Sequence, residues 1–151
     1  MHKNWWRIFL LLLLGPVAAC DAQVKAGSFA KDRASALSGV QEFRRLYAQQ
    51  NFTGMYKLAS PAMKSSITQE QFIAAEESAQ TLLGKYLSST LVATSCFPNE
   101  VRLIYHTQFE KQQITEMMVW SVPETTAFLH AYKTSFGYAP VDKKAQVGCP
   151  S

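Results

Sequence analysis

Hydrophobic residues between about residue 32 and residue 60 recur with the period of an α-helix. From Asp32 onward they lie three or four positions apart, as on one face of a helix. These positions are Ala36, Leu37, Val40, Phe43, Leu46 and Tyr47. Asn51 can cap a second, short helix that ends before Pro61, because the residue before a proline disfavours helical backbone. The pattern therefore predicts two helices, each with an apolar face turned towards a core.

A third helix has the best-defined start in the chain. Thr68 and Gln71 have the spacing of a capping box, and Ile67 and Phe72 stand where a hydrophobic staple would lie. Its apolar face comprises Phe72, Ala75, Ala79, Leu82 and Leu83. Gly84 follows the last apolar residue and is expected to end the helix.

After Gly84 the hydrophobic period changes from three or four residues to two, which is typical of strands. Four strands are predicted, at residues 87–97, 100–110, 113–122 and 125–135. Their separators are Pro98-Asn99, Lys111-Gln112 and Pro123-Glu124. Such short turns join antiparallel neighbours. The expected fold is therefore α+β, with three N-terminal helices packed on a curved four-stranded antiparallel meander.

Two-residue turns at these separators would fix which residues share a sheet face. One face would hold Val101, Leu103, Tyr105, Thr107, Phe109, Ile114, Glu116, Met118, Trp120, Val122, Ala127 and Leu129. It is the more apolar face, so we expect it to be concave and covered by the helices. The other would hold Ile104, His106, Met117, Val119, Phe128, His130 and Tyr132.

The N-terminal segment has the charge and hydropathy pattern of a bacterial signal peptide. Lys3 and Arg7 make its start basic, and an unbroken apolar run extends from Ile8 to Leu14. That run is too short to span a bilayer, which takes about 20 residues. Val17-Ala18-Ala19-Cys20 resembles a lipobox, in which small side chains precede a cysteine that receives a diacylglycerol. The alternative is an ordinary secretory leader with a cysteine at that place by chance.

The lipobox predicts a lipoprotein that is anchored to the bacterial cell envelope through Cys20 and faces the periplasm, since several acyl chains suffice for stable anchoring. Asp21 resembles the inner-membrane retention signal of enteric bacteria, which favours the inner membrane without deciding it. The expected organisation is a signal peptide at 1–19, a lipidated cysteine and short tether at 20–30, one α+β domain at 31–138 and an irregular tail at 139–151.

The net charge of the chain that remains after cleavage of the signal peptide narrows the choice of partners. Without Lys3 and Arg7, 13 basic residues face 11 acidic ones, a net charge of +2 that argues against a nucleic-acid partner. Arg44-Arg45 is predicted to be part of a solvated helix face.

Cys96 and Cys149 would meet an oxidising periplasm, so we expect them to be paired in a disulfide or inert.

Several segments, in this order and spacing, resemble the cone-shaped fold of the nuclear transport factor 2 superfamily. They are Arg45-Leu46-Tyr47, Asn51-Phe52, Leu58 to Lys64, Thr68 to Phe72, Leu83-Gly84-Lys85, Val101 to Phe109, Ile114 to Met118 and Ala131-Tyr132. Small bacterial lipoprotein families of undefined function have this fold. The family usually has a large aromatic residue and a glycine in its last strand, where this chain has residues 127–131, so the register of that strand stays open.

The resemblance places a pocket on the concave face, for which Tyr56, Tyr105, Glu116 and Trp120 are candidate residues. Glu116 is the only carboxylate predicted on that face. A lone acid among aromatic rings could be a base with a raised pKa or a ligand anchor. We favour the alternative, in which Glu116 lies at the rim of the sheet, hydrated or hydrogen-bonded to the backbone.

The outer sheet face is the second candidate site, with His106, Val119, Phe128 and His130 as interface residues. In the predicted register the two histidines flank Met117 about 10 Å apart, too far to share a metal ion. A half-apolar outer face indicates a protein contact. In the superfamily this face often pairs two subunits or receives a partner.

No phosphate loop, nucleophile elbow or metal-spaced cluster appears in the sequence. We therefore expect a lipid-anchored envelope protein with a non-catalytic binding or interaction domain, without a cofactor or metal, that forms a homodimer or binds an envelope protein. One alternative is a small-molecule carrier or enzyme that uses Glu116 in the concave pocket. Another is a periplasmic inhibitor or immunity lipoprotein.

Overall fold

The computed structural model describes residues 28–149, and within them four helices precede a four-stranded antiparallel sheet. The helices are α1 (Ser28–Ala48), α2 (Phe52–Lys57), α3 (Pro61–Ser66) and α4 (Gln69–Leu83). The strands are β1 (Tyr86–Phe97), β2 (Glu100–Phe109), β3 (Gln113–Ser121) and β4 (Phe128–Phe136), adjacent in chain order. The predicted α+β class and antiparallel meander are confirmed. The signal peptide, Cys20 and Asp21 lie outside the described residues.

The helical region differs from the prediction in two places. Helix α1 begins at Ser28, inside the segment that was predicted as a tether, and Phe29 packs against the core there. A fourth helix, α3, was missed. Pro61 was predicted only to end α2. The missing N–H of a proline costs nothing in the first turn of a helix. The Ser60 hydroxyl caps this turn by accepting a hydrogen bond from the Met63 N–H.

The capping box of α4 is confirmed. The Thr68 hydroxyl accepts a hydrogen bond from the Gln71 N–H at 3.2 Å, and the Gln71 side chain accepts one from the Thr68 N–H at 3.0 Å. Gly84 follows the helix with a φ of 78°, which a side chain would strain. The sequence therefore fixes both ends of this helix.

We expect Thr68→Ala to lower the free energy of unfolding by about 1 kcal/mol, because it removes the acceptor of a helix N-terminal N–H. Urea unfolding measures the change. Thr81→Ala on the exposed side of the same helix is the matched control, since the Thr81 hydroxyl only donates back to the Glu77 carbonyl. Equal changes in both variants would contradict a special role for the cap.

Strands β2 and β3 have the predicted faces but a different pairing. The turn lies at Glu110-Lys111, closed by the Phe109 N–H donating to the Gln112 carbonyl. Compared with the predicted pairing, each residue of β2 therefore lies opposite a β3 residue that is two positions earlier in the chain. Tyr105, for example, lies opposite Glu116. Because side chains alternate with a period of two, an even displacement leaves each residue on its face. The face that packs against the helices is called the inner face below, and the opposite one the outer face.

Strand β4 was placed wrongly. Instead of a two-residue turn at Pro123-Glu124, a six-residue connection at 122–127 precedes it, and the β3–β4 pairing has an irregularity between Val119 and Trp120. Leu129 stays on the inner face, as predicted, where it lies opposite Trp120. Beyond the irregularity Tyr132 pairs with Met118, so Tyr132 joins the inner face rather than the outer one.

The tail after β4 is part of the folded domain. Residues 137–149, called the strap below, run back across the outer face. A disulfide joins Cys149 to Cys96, 53 positions earlier in the chain. Beside it the Cys96 N–H donates to the Val147 carbonyl, and the Val147 N–H donates to the Ser95 hydroxyl. Apart from one 3-10 turn at Lys143–Ala145, the strap is irregular.

Candidate functional site

Glu116 lies at the centre of a buried polar cluster beneath the helices. Its side chain has no exposed surface. One carboxylate oxygen accepts from Arg44 Nη1 at 2.9 Å and from the Tyr132 hydroxyl at 2.5 Å, and the other accepts from Arg44 Nη2 and the Thr107 hydroxyl. These four residues are called the ionic cluster. The interpretation that Glu116 lies at a hydrated rim is therefore wrong, and its partners are side chains rather than backbone.

Arg44 and Arg45 were both predicted on a solvated helix face. Only Arg45 lies on such a face, in an exposed ion pair with Glu42. The Arg44 side chain is 11% exposed and reaches the sheet from α1. Its guanidinium stands over the rings of Tyr86 at 4.9 Å and Tyr105 at 5.8 Å. The signal was present in the sequence: position 44 follows Val40 by four and precedes Tyr47 by three, which puts it on the apolar face of the helix.

Arg44 keeps its charge within the ionic cluster, and Tyr132 keeps its proton. Burial by itself would lower the pKa of Arg44, but the hydrogen bond and charge of Glu116 outweigh it and raise that pKa. Burial, and then the charge of Glu116, raise the pKa of Tyr132 well above its ordinary value, so its hydroxyl remains a donor. Four donors thus occupy the carboxylate of Glu116. In this arrangement each oxygen of Glu116 already accepts two hydrogen bonds, and none of its surface is exposed to a substrate.

Glu76 is a second interior carboxyl, which is not among the predicted site residues. It lies on α4 four positions after Phe72, is 6% exposed and has no hydrogen-bond partner among the described residues. Burial, followed by the charge of Glu116, raises its pKa to about 7, although Arg44 opposes this. Leu82 was predicted on the apolar face of α4 but is 57% exposed, whereas Glu76 of the same helix is buried.

Glu76 should make stability fall as the pH rises through 7. Its pKa is about 7 when folded and 4.5 by its ordinary value, so the folded state holds a proton that the unfolded chain has released. This contribution is complete below pH 4.5 and is lost above 7, a change on the order of 3 kcal/mol. Urea unfolding between pH 5 and 8 should show a flatter profile for Glu76→Gln than for the wild type.

The matched control for Glu76→Gln is Glu77→Gln, at an exposed position of the same helix. Its pH profile should follow that of the wild type. A wild-type profile that also coincides with that of Glu76→Gln would contradict the raised pKa.

The four predicted pocket residues do not form one pocket. Tyr105 and Glu116 meet at Arg44, as described above. Tyr56 lies apart, packed on Phe72 with its hydroxyl donating to the Ile67 carbonyl at 2.9 Å. Trp120 is fully buried and packs against Gly39 of α1, where an added Cβ would approach its ring to 2.5 Å. Trp120 therefore fills the interior rather than lining an open space.

The four predicted interface residues do not form one patch either. His106 is covered by the strap: its ring stacks on Tyr138 at 4.5 Å, and its Nε2 lies 2.9 Å from the Ala139 carbonyl oxygen. Val119 is only 7% exposed, and Phe128 is half-buried beside the connection that precedes β4. Since His106 pairs with Thr115 rather than Met117, the predicted row that joined it to His130 through Met117 does not exist.

His130 and Ser60 are within reach of each other, with His130 Nδ1 3.3 Å from the Ser60 hydroxyl oxygen. A serine nucleophile needs an accessible hydroxyl and a base that a third group orients. Ser60 is 3% exposed, and its hydroxyl accepts from the Met63 N–H. No carboxylate among the described residues bonds His130. The pair is therefore a helix cap with a histidine beside it.

An open cleft lies between the strap and the outer face, with a volume of about 340 Å³. It is called the strap cleft. Its floor is formed by Ala93, Ser95, Arg102, Ile104, Thr115 and Met117, and its other wall by Ala139, Pro140, Val141, Asp142, Ala145 and Gln146. Most of these side chains are apolar. The volume lies within the range of small-molecule sites, about 300–1,000 Å³.

Both ends of the strap are fixed, so the cleft is preformed. At one end the Thr115 hydroxyl donates to the Gly137 carbonyl at 2.9 Å and accepts from the Ala139 N–H at 2.8 Å. At the other end Cys149 is bonded to Cys96. A preformed site loses less conformational entropy when it binds than one that must first be ordered.

Between residues 28 and 149, no three His, Cys, Asp or Glu side chains approach closely enough to hold a metal ion. No described helix is both long and apolar enough to cross a membrane. The chain matches no protein-family model, and comparisons with curated proteins and with solved structures found no similar protein.

Proposed function

We propose that this chain is a lipid-anchored envelope protein whose domain binds a ligand or partner at the strap cleft without catalysing a reaction. One contrast carries the proposal. Glu116, the candidate pocket acid, has no exposed surface and four occupied hydrogen bonds, whereas the outer face offers an open, mostly apolar cleft. An accessible apolar concavity is what binding sites have in common.

We further propose that the fold belongs to the nuclear transport factor 2 superfamily. In support, the helices precede an antiparallel meander and pack on one of its faces. In that superfamily the other face often pairs two subunits or receives a partner, which agrees with a working surface on this side. A homodimer and an envelope protein both remain candidate partners.

The lipid anchor is tested by Cys20→Ser. This variant should take up no radiolabelled palmitate and should accumulate as uncleaved precursor, because the cysteine is both the acceptor of the lipid and the first residue of the mature chain. Cys149→Ser, which keeps the lipobox, should be labelled like the wild type. Absence of label on the wild type would refute the anchor and favour the alternative, an ordinary secretory leader.

The binding role is tested in cells with a photoreactive amino acid. Placed at Val141, on the wall of the strap cleft, it should form a covalent adduct on irradiation. The same amino acid at Glu77, exposed on α4, should form none. An inhibitor or immunity protein would give an adduct with a polypeptide, and a carrier one with a small molecule. Equal labelling at both positions, or none at Val141, contradicts the proposal.

A second candidate function, a small-molecule enzyme or carrier with an interior site, is favoured by one observation. Glu76 is a buried carboxyl without a described partner, and its pKa of about 7 suits a general base. A hollow of about 120 Å³ lies on the same helix, beside Leu82 and Phe136. For this function Glu76→Gln should abolish ligand binding, while a change at Val141 should leave it intact.

A further inference from the structure

Three lysines are neighbours of residues that line the strap cleft, although they do not line it themselves. Lys143 and Lys144 lie on the strap between two residues of its wall, and Lys133 is the cross-strand neighbour of Met117 on the floor. All three lysines are exposed, and none is in an ion pair among the described residues. The charge at the edge of the cleft is thus available to a ligand.

The acidic residues nearby are already engaged. Glu100 accepts from Arg102 at 2.7 Å. Asp142 accepts from the Lys144 N–H at 2.8 Å and caps the 3-10 turn of the strap. Arg102, which lines the cleft and pairs with Glu100, and the three neighbouring lysines make four cationic groups in or beside the cleft, against two carboxylates, an excess of two positive charges. An apolar floor with a positive edge is complementary to a molecule that has an apolar body and an anionic head.

We infer that the strap cleft binds a small amphipathic organic anion, with its apolar body over Ile104 and Met117 and its charged head at the lysines. The inference deepens the proposed binding role and rests on it. A methylene is about the size of a water molecule, roughly 30 Å³, so the cleft admits a body of about ten carbons. A membrane phospholipid with two long acyl chains is too large, which selects a free single-chain anion.

The probe is decanoate that carries a photoreactive diazirine, applied to the full lipidated chain in nanodiscs of neutral phosphatidylcholine. Peptide mapping should place the label on the strap and on the floor of the cleft. An excess of decanoate should suppress it at least tenfold, and an excess of decanol should not, because decanol lacks the charge. Val141→Trp should abolish the label, because the larger side chain fills the cleft. The substituted residue lies on the strap, so the sheet itself is not changed.

The charge is tested by replacing Lys133, Lys143 and Lys144 together with glutamine, which should weaken labelling at least tenfold. The matched control replaces Lys31, Lys57 and Lys85, which are equally exposed and remove the same net charge elsewhere. Labelling outside the cleft, or equal loss in both triple variants, would overturn the inference. So would equal competition by decanol, or suppression by anionic phospholipid in the nanodisc.

Failure of this inference is distinguishable from failure of the proposed function. The photoreactive amino acid at Val141 reports any occupant, whatever its chemistry. An adduct there without decanoate labelling overturns the ligand class and leaves the binding role intact. Absence of both signals overturns both.

Discussion

Glu116→Gln should lower the free energy of unfolding by about 3–5 kcal/mol, the largest effect of a single substitution that we predict here. The substitution keeps the size of the side chain and removes its charge. Arg44 would remain buried as an unpaired cation, and two hydroxyl donors would lose an ionised acceptor. Urea unfolding at pH 7 measures the loss, with far-UV circular dichroism to verify that the variant folds.

We expect a large loss of stability from Glu116→Gln because a buried ion pair and a single buried charge differ in their energetic cost. Two charges that neutralise each other tolerate burial, whereas one alone does not. Arg44→Met should therefore also destabilise by several kcal/mol, and the double variant Arg44→Met/Glu116→Gln should be more stable than either single variant. Additive losses in this double-mutant cycle would mean that the two groups do not interact.

The chain offers a matched control in the exposed pair of Arg45 and Glu42, on the same helix as Arg44. Water already solvates both charges there, so exposed pairs contribute only about 0–1 kcal/mol. Arg45→Met and Glu42→Gln should each change stability by less than 1 kcal/mol. A loss as large as that of Glu116→Gln would show that charge removal in general, rather than burial, causes the effect.

The double variant Cys96→Ala/Cys149→Ala should lose about 4 kcal/mol of stability, because the bridge closes a loop of 53 positions and restricts the unfolded chain. The loss should be accompanied by release of the strap. Hydrogen exchange at the Val147 amide, which bonds the Ser95 hydroxyl, should then accelerate. The midpoint of urea unfolding and the exchange rate of this amide are the two measurements.

Titration of free thiols in unfolded, unreduced protein is the direct check on the pairing. The Cys20→Ser chain is suited to it, because Cys96 and Cys149 are then its only cysteines. We expect no reactive thiol before reduction and two afterwards. Two reactive thiols before reduction would contradict the bridge, and the predicted loss of stability would no longer follow.

The disulfide and the ionic cluster stabilise different parts of the domain. The cluster joins α1 to β3 through Arg44 and Glu116, inside the layer between the helices and the sheet. The disulfide joins the end of the strap to Cys96 of β1, the edge strand of the sheet. Loss of the bridge should therefore open the strap cleft while the helices stay packed, and loss of the cluster should weaken the whole domain.

The sequence by itself determined those features that depend on neighbours in the chain. The cap formed by Thr68 and Gln71, the end of α4 at Gly84 and the alternation along β2 and β3 were all predicted correctly. Each depends on contacts within a few residues or on the strand period of two. For the same reason the faces of β2 and β3 stayed correct when their turn moved: the displacement was even.

Only the tertiary structure decided which distant residues meet. Arg44 and Glu116 are 72 positions apart, and no local period indicates that one bonds the other. The register of β4 depends on a six-residue connection and an irregular pairing, and this moved Tyr132 to the inner face, where it donates to Glu116. The strap cleft likewise exists because the disulfide and Thr115 hold an irregular segment, which has no periodic pattern, across the sheet.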